Sequence, residues 1–246
     1  FADRLAAAAY GYGQFGMAAR YVTNSKSTLA YWVRAKLALR SGNTKDATSN
    51  FSKALAQMAA AGAADTLLEE DNRKRLIAEN AALSLTRGDF LLAFRQMYSE
   101  APAYWFDVAY LAERVLTVDE LRNYVDQNVP ESAPPARAAA GQLQSVQDYS
   151  ALDTAAKLRD LLARRLMREG QHDQAFAYFH SPDDDRFKNP NVRHHAKAYA
   201  NALRSAESAW TNIGRAKSLY EAASLARWKG MDILGFELAP DYFAAG

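Results

Sequence analysis

Cysteine is absent from this chain of 246 residues, which excludes disulfide bonds, thiolate metal sites and cysteine nucleophiles. Stretches in which β-branched residues alternate with polar ones are also missing, whereas helix-forming residues dominate. The sequence therefore predicts an almost entirely α-helical fold. No apolar run approaches the length of about 18 residues that indicates a membrane-spanning helix, so we expect no membrane insertion.

The chain also lacks a large excess of charge of either sign. It has 30 basic and 28 acidic residues, a net charge of +2 at pH 7. This near balance gives no electrostatic drive toward nucleic acid or an anionic membrane, and we expect no nucleic-acid partner. With 49% hydrophobic and 24% charged residues, the chain can bury a sizeable core. The lack of cysteine fits the bacterial periplasm or cytoplasm, of which we favour the periplasm.

Catalytic and metal-binding signatures are missing too: the sequence has no G-x-S-x-G, P-loop, dinucleotide-binding glycine pattern or H-E-x-x-H. His194 and His195 are adjacent, and on a helix they point about 100° apart, so they do not share one ion in the usual way. His172 and His180 lie beside helix ends, which suits surface or capping histidines. The three aspartates at 183–185 lack the ligand spacing of a calcium loop. We therefore expect no catalytic residues, no metal and no cofactor.

What the sequence does contain is an internal repeat, clearest at residues 31–55. Ala35 precedes Gly42 by seven residues, Ala47 follows this glycine by five, and Phe51 comes four residues later. Seven residues make about two helical turns, glycine suits the left-handed position that ends a helix, and residues four apart share a helix face. The pattern predicts two antiparallel helices joined by a tight turn, with alanines where the backbones approach.

The same spacing recurs three more times along the chain. It occurs at Ala6, Gly13, Ala18 and Val22, at Ala81, Gly88, Ala93 and Met97, and at Ala163, Gly170, Ala175 and Phe179. These residues resemble the signature of the tetratricopeptide repeat family, which has a small residue in helix A, a glycine near the turn, and an alanine followed by an aromatic in helix B. The resemblance implies antiparallel helical hairpins stacked as an α-solenoid. Because the four glycines are unevenly spaced, we expect an irregular solenoid.

A cluster of prolines marks the predicted division of the chain. Three prolines occur within residues 129–135, a composition typical of a linker or bend. We therefore expect N-terminal hairpin repeats over residues 1–128 and C-terminal hairpin repeats over residues 136–246. Just before this linker, Thr117 and Glu120 have the spacing of a capping box, which predicts the start of a helix.

The family resemblance also implies a binding groove, lined by the first helix of each hairpin, for an extended peptide or a partner helix. The groove residues that it implies here are Trp32, Lys36, Leu39, Arg75, Lys157, Arg164 and Met167. The alternative for the lysines and arginines is a solvated helix face. Family members that bind C-terminal carboxylates use a clamp of lysines and asparagines. Asp3 stands where the first lysine would be, so we do not expect that activity.

An aromatic segment follows Pro102. It contains Tyr104, Trp105, Phe106 and Tyr110, of which Phe106 and Tyr110 share a helix face at their spacing of four residues. One interpretation is core packing between irregular hairpins. The other is an aromatic patch that binds a ligand or a partner.

Three functional hypotheses remain open on the sequence alone. The first is a non-catalytic scaffold that binds a protein or peptide in a bacterial assembly or envelope complex. The second is a helical accessory domain of a larger cell-wall or envelope enzyme, suggested by the absence of an initial methionine and of an evident C-terminal signal. The third is a small-molecule or glycan binder that uses the aromatic segment.

Overall fold

A computed structural model of the chain describes residues 1–61, 68–131, 154–182 and 191–238. Within these ranges the secondary structure is helical without any strand, which confirms the predicted all-α class. The α-helices are α1 (Ala2–Gly11), α2 (Phe15–Val22), α3 (Thr28–Arg40), α4 (Thr44–Ala61), α5 (Glu70–Thr86), α6 (Phe90–Tyr98), α7 (Trp105–Tyr110), α8 (Val118–Asn128), α9 (Thr154–Arg168), α10 (His172–Ala175), α11 (Val192–Glu207) and α12 (Asn212–Leu234). A π-helix, Leu111–Val115, continues α7. In the described part of the chain, no helix is long and apolar enough to cross a membrane.

Four helix ends share one hydrogen-bonded turn, built around the glycines of the repeat. Gly13, Gly42, Gly88 and Gly170 all have positive φ, between 75° and 80°. At Gly42, the glycine N–H donates to the carbonyl of Leu39 over 3.0 Å, and the next N–H, of Asn43, donates to the carbonyl of Ala38 over 2.9 Å. The same two bonds close α1, α5 and α9. This is the Schellman arrangement, which satisfies the last carbonyls of the helix and directs the chain into the next one.

Small buried side chains let the paired helices approach closely. All eight alanines of the repeat are at most 1% exposed. In the hairpin of α3 and α4, Ala35 and Ala47 are both fully buried, and Phe51 fills the space beside them. Equivalent pairs are α1 with α2, α5 with α6, and α9 with α10. These four pairs of helices are therefore hairpins.

Contacts between helices group the chain into two compact units, Phe1–Ala103 and Tyr104–Gly246. The first unit contains α1 to α6 and the second contains α7 to α12. Within the predicted linker at 129–135, Val129 caps the end of α8 and is buried, whereas residues 132–135 lie outside the described ranges. The predicted division at this linker stays a prediction.

Helix α9 is central to the second unit, where it contacts α7, the π-helix, α8, α10 and α12. Its side chains Leu158, Leu161, Leu162 and Leu166 are fully buried, and they form one apolar face of the helix. Ahead of it along the chain, the predicted capping box is confirmed at the start of α8. The Thr117 hydroxyl accepts a hydrogen bond from the Glu120 N–H, and the Glu120 carboxylate accepts one from the Thr117 N–H.

Candidate functional site

The first unit contains a cavity of about 510 Å³ between α1, α3 and the start of α5. Its aromatic and polar lining residues are Arg4, Tyr10, Trp32, Lys36, Glu69, Asn72 and Arg75. The three helices are the first helices of three consecutive hairpins. Of the predicted groove residues in this unit, Trp32, Lys36 and Arg75 therefore meet at one site, while Leu39 lies outside the lining and is 39% exposed.

The cavity-facing side of α3 is set by its residue spacing. Leu29, Trp32, Val33 and Lys36 follow one another at intervals of three, one and three residues, so they lie on one helix face. The first three are buried and the lysine is half-buried. This face of α3 therefore forms an apolar wall of the cavity, with the ammonium group of Lys36 at one end.

Asp3 ties the start of α3 to α1. Its carboxylate accepts hydrogen bonds from the hydroxyls of Ser25, at 2.9 Å, and Ser27, at 2.7 Å. Ser27 in turn caps α3, since its hydroxyl accepts the Ala30 N–H over 3.1 Å. Asp3 is buried and does not line the cavity, so it acts on the site only by holding the two helices together.

Glu79 on α5 organises the polar end of the site. Its carboxylate accepts hydrogen bonds from Trp32 Nε1 at 2.7 Å, Lys36 Nζ at 2.8 Å and Arg75 Nε at 3.2 Å. The Glu79 and Lys36 side chains are 25% and 22% exposed, whereas that of Arg75 is 62% exposed. One carboxylate therefore fixes three side chains from two helices, and the guanidinium of Arg75 extends from it into solvent.

The lysine of this network also contacts two aromatic rings. Lys36 Nζ lies 5.3 Å from the ring centroid of Tyr10 and 5.3 Å from that of Trp32, within the range of cation–π attraction. Together with its salt bridge to Glu79, these contacts hold the ammonium group beside the cavity wall.

The cavity lining carries an excess of positive charge. Three lining residues are basic, namely Arg4, Lys36 and Arg75, and one is acidic, Glu69. Glu79 adds a second carboxylate at the cavity edge. A site with this charge and with aromatic walls suits a segment that combines carboxylates with apolar side chains.

In the second unit, two of the predicted groove residues are interior residues. Met167 is 2% exposed and Arg164 is 9% exposed. The Arg164 guanidinium donates to Glu237 at 2.6 Å and lies 3.7 Å from Asp160 on its own helix. Because α9 is the central helix of this unit, these side chains contact the chain itself and do not face an open groove. Lys157 is half-buried, with its Nζ 5.5 Å from the ring centroid of Trp105.

The segment 235–238, called the clasp below, occupies the polar face of α9. Besides Arg164, Trp105 Nε1 donates to the Glu237 carboxylate at 2.8 Å. Burial raises the pKa of Glu237, but the charge of Arg164 and the hydrogen bonds from Arg164 and Trp105 outweigh it, so this pKa lies below its ordinary value of 4.5. The Glu237 N–H donates to Glu113 of the π-helix at 3.2 Å, and the Phe236 ring lies 3.9 Å from the guanidinium of Arg168.

The predicted aromatic patch is divided between two environments. Trp105 is half-buried and bound to the clasp, and Tyr104 is half-buried. Phe106 and Tyr110 are 61% and 53% exposed. The tryptophan therefore has a structural contact, and Phe106 and Tyr110 are largely exposed.

Two carboxylates central to these sites, Glu79 and Glu237, do not stand out in the sequence. A local signal exists for Glu79, which follows Arg75 by four residues on α5 and so forms an i, i+4 pair. No local signal exists for Glu237, whose partners are distant along the chain. Within the described ranges, no group of three histidine, aspartate or glutamate side chains is placed to hold a metal ion. The aspartates at 183–185 lie outside those ranges.

In comparisons with protein-family models, with curated proteins and with solved structures, nothing matches this chain. The chemistry of the cavity is therefore interpreted from its residues alone.

Proposed function

We propose that this protein is a non-catalytic scaffold whose hairpins stack as an irregular solenoid of the tetratricopeptide type. Its cavity between α1, α3 and α5 binds an extended acidic segment of a partner protein. The observation that carries this proposal is the convergence of Trp32, Lys36 and Arg75 on a cavity lined by the first helices of three consecutive hairpins.

The proposed ligand follows from the groups in the cavity. A side-chain carboxylate of the ligand pairs with Arg75 and Lys36, because charge-assisted hydrogen bonds are the strong ones. The rings of Tyr10 and Trp32 accept apolar side chains, and the Asn72 amide offers both a donor and an acceptor for an extended backbone.

The second unit supports this choice of ligand chemistry. There a tryptophan, a lysine and an arginine surround the carboxylate of Glu237, and an aromatic residue precedes this glutamate in the clasp. The same three residue types, Trp32, Lys36 and Arg75, surround Glu79 in the first unit. Both units thus already bind a carboxylate of the chain itself with the residue types that we propose for the ligand.

The proposal is tested by selection from a random-peptide display library on the immobilised full chain. Fluorescence anisotropy then gives the affinity of each selected peptide for the wild type and for the variant K36E/R75E. We expect selected peptides rich in aspartate and glutamate, and a loss of affinity of about tenfold or more in the variant.

The matched control is K45E/K53E, which likewise reverses two positive charges, at exposed positions of α4 away from the cavity lining. Its affinity for the peptides should equal that of the wild type. Selected peptides without acidic enrichment, or equal binding to K36E/R75E, would contradict the proposal.

We further propose that the partner belongs to a bacterial assembly or envelope complex and that the two proteins meet in the periplasm. This location is tested by fractionating the native cells and detecting the protein with an antibody. Recovery in the periplasmic fraction is expected, and recovery only with cytoplasmic markers would remove the envelope assignment while leaving the binding site untouched.

A further inference from the structure

The last helix of the second unit, α12, exposes an unusual amount of apolar surface. Trp210, just before the helix, is 102% exposed, and Ile213, Tyr220, Trp228 and Met231 are 73%, 77%, 72% and 44% exposed. Exposed apolar side chains gathered on one face and bordered by polar residues mark an interaction site, and here Lys217, Glu221 and Ser224 lie among them. We call the five apolar residues the α12 stripe.

The stripe is opposite the face through which α12 joins its own unit. Ala222 and Ile233 are the buried residues of α12, on a helix that contacts α11 and α9. At about 100° per residue, they lie about 180° around the helix from Ile213 and Met231. The stripe therefore belongs to a separate surface and is not an edge of the core.

Four of the five stripe residues are placed symmetrically about one point. Trp210 and Met231 are equally far from a point between Tyr220 and Glu221, and so are Ile213 and Trp228. We propose that α12 is a dimerisation helix. It pairs in antiparallel orientation with α12 of a second copy, around a two-fold axis through that point. Each large apolar residue at one end of the stripe then meets one from the other end of the second copy.

Charge complementarity supports the same register. Lys217 lies opposite Ser224 of the second copy, because these residues are also equally far from the centre. Glu221 is offset by three residues, about 4.5 Å along the axis, from Lys217 of the second copy, and symmetry forms this pair twice. Arg227 faces Gly214, which leaves room for its long side chain. A parallel pairing would instead place Lys217 against Lys217.

The size of the stripe is adequate for a dimer. Large aromatic side chains contribute about 150–250 Å² each, so the three aromatic residues with Ile213 and Met231 amount to roughly 700 Å² per copy. Specific interfaces bury about 800 Å² per partner. In the antiparallel pairing, the polar residues that flank the stripe add the remaining buried area, so that the total reaches about 800 Å² per copy.

The oligomeric state of the full chain tests the proposal, measured by size-exclusion chromatography with light scattering over micromolar concentrations. We expect a mass of twice 27.2 kDa for the wild type and a monomer for I213E/W228E. The control L219E introduces one glutamate at an apolar residue that is 45% exposed but points about 100° away from Tyr220. It should remain dimeric. Circular dichroism checks that all three chains keep the same helix content.

A monomeric wild type would overturn the proposal. A dimer that survives I213E/W228E, or one that L219E disrupts equally, would also overturn it, because the interface would then lie elsewhere. None of these results bears on peptide binding in the first unit.

The orientation is tested by cross-linking, since the chain has no cysteine of its own. When chains carrying K217C and S224C are mixed and oxidised, the antiparallel register predicts a disulfide between the two different chains. Each chain oxidised alone should stay uncross-linked, because like positions lie about 10 Å apart along the axis. Cross-linking of each chain with itself would instead show a parallel pairing and overturn the register.

Discussion

At Gly42 the backbone alone accounts for the requirement for glycine. Its φ is +76°, and no atom lies within 4 Å of the position that a Cβ would occupy. An L-residue in this conformation is strained by about 1–2 kcal/mol. Gly230 differs in its backbone. It lies inside α12 in helical conformation, where an L-residue is not strained, and the space around it is equally open.

We therefore predict opposite effects of the same substitution at these two glycines. G42A should lower the free energy of unfolding by about 1 kcal/mol. G230A should raise it by about 0.5–1 kcal/mol, because alanine restricts the unfolded chain and favours the helix. Urea denaturation followed by circular dichroism measures both. If G42A and G230A changed the free energy of unfolding equally, the positive φ of the turn would not be the reason why residue 42 is glycine.

Glu79 competes with the proposed ligand for the same cations. Changing it to glutamine keeps an acceptor for Trp32 Nε1 but removes the charge that holds Lys36 and Arg75. E79Q should therefore bind the selected acidic peptides about 3- to 10-fold more tightly, as measured by anisotropy. E70Q, at an exposed position on the same helix, serves as the control and should leave the affinity unchanged. Weaker binding by E79Q would mean that the network has to remain charged for recognition.

At the scale of the elements, the clasp has a stability that depends on pH. The folded-state pKa of Glu237 lies below 4.5, so its charge stabilises the fold above that pH. This contribution disappears as the pH falls through the lower folded-state value. At pH 7, E237Q should lower the free energy of unfolding by about 1–3 kcal/mol.

The difference between wild type and E237Q should shrink as the pH is lowered below 4.5 and disappear below the folded-state pKa of Glu237, where both side chains are neutral. Denaturation curves at several pH values test this. Glu207→Gln, at an exposed position at the end of α11, controls for the loss of one carboxylate. A difference that is independent of pH would show that the ion pair of Glu237 with Arg164 contributes nothing.

The hairpins could be predicted from the sequence because their determinants are local. A turn glycine, two alanines within seven residues of it and a capping box at Thr117 all act through neighbours along the helix. The clasp could not be predicted, because Glu237 bonds to Arg164 and Trp105, which are 73 and 132 residues away. The cavity is an intermediate case. The family resemblance suggested Trp32, Lys36 and Arg75, but the hydrogen bond that joins Trp32 to Glu79 spans 47 residues.

At the scale of the whole molecule, the two units have different surfaces. The first has a charged, aromatic-walled cavity of about 510 Å³. In the second, α9 is covered by the chain's own clasp, and the open apolar surface is on α12. A dimer formed through α12 would carry two copies of the cavity, and a partner with two acidic segments would then bind with increased avidity.

The most direct test of peptide binding by the first unit is hydrogen–deuterium exchange of the full chain with and without a selected acidic peptide. Our account predicts slower exchange in the cavity helices, 2–11, 28–40 and 70–86, with unchanged exchange in α9 at 154–168. Protection confined to the second unit, or no protection at saturating peptide, would contradict the central claim that this cavity is the binding site.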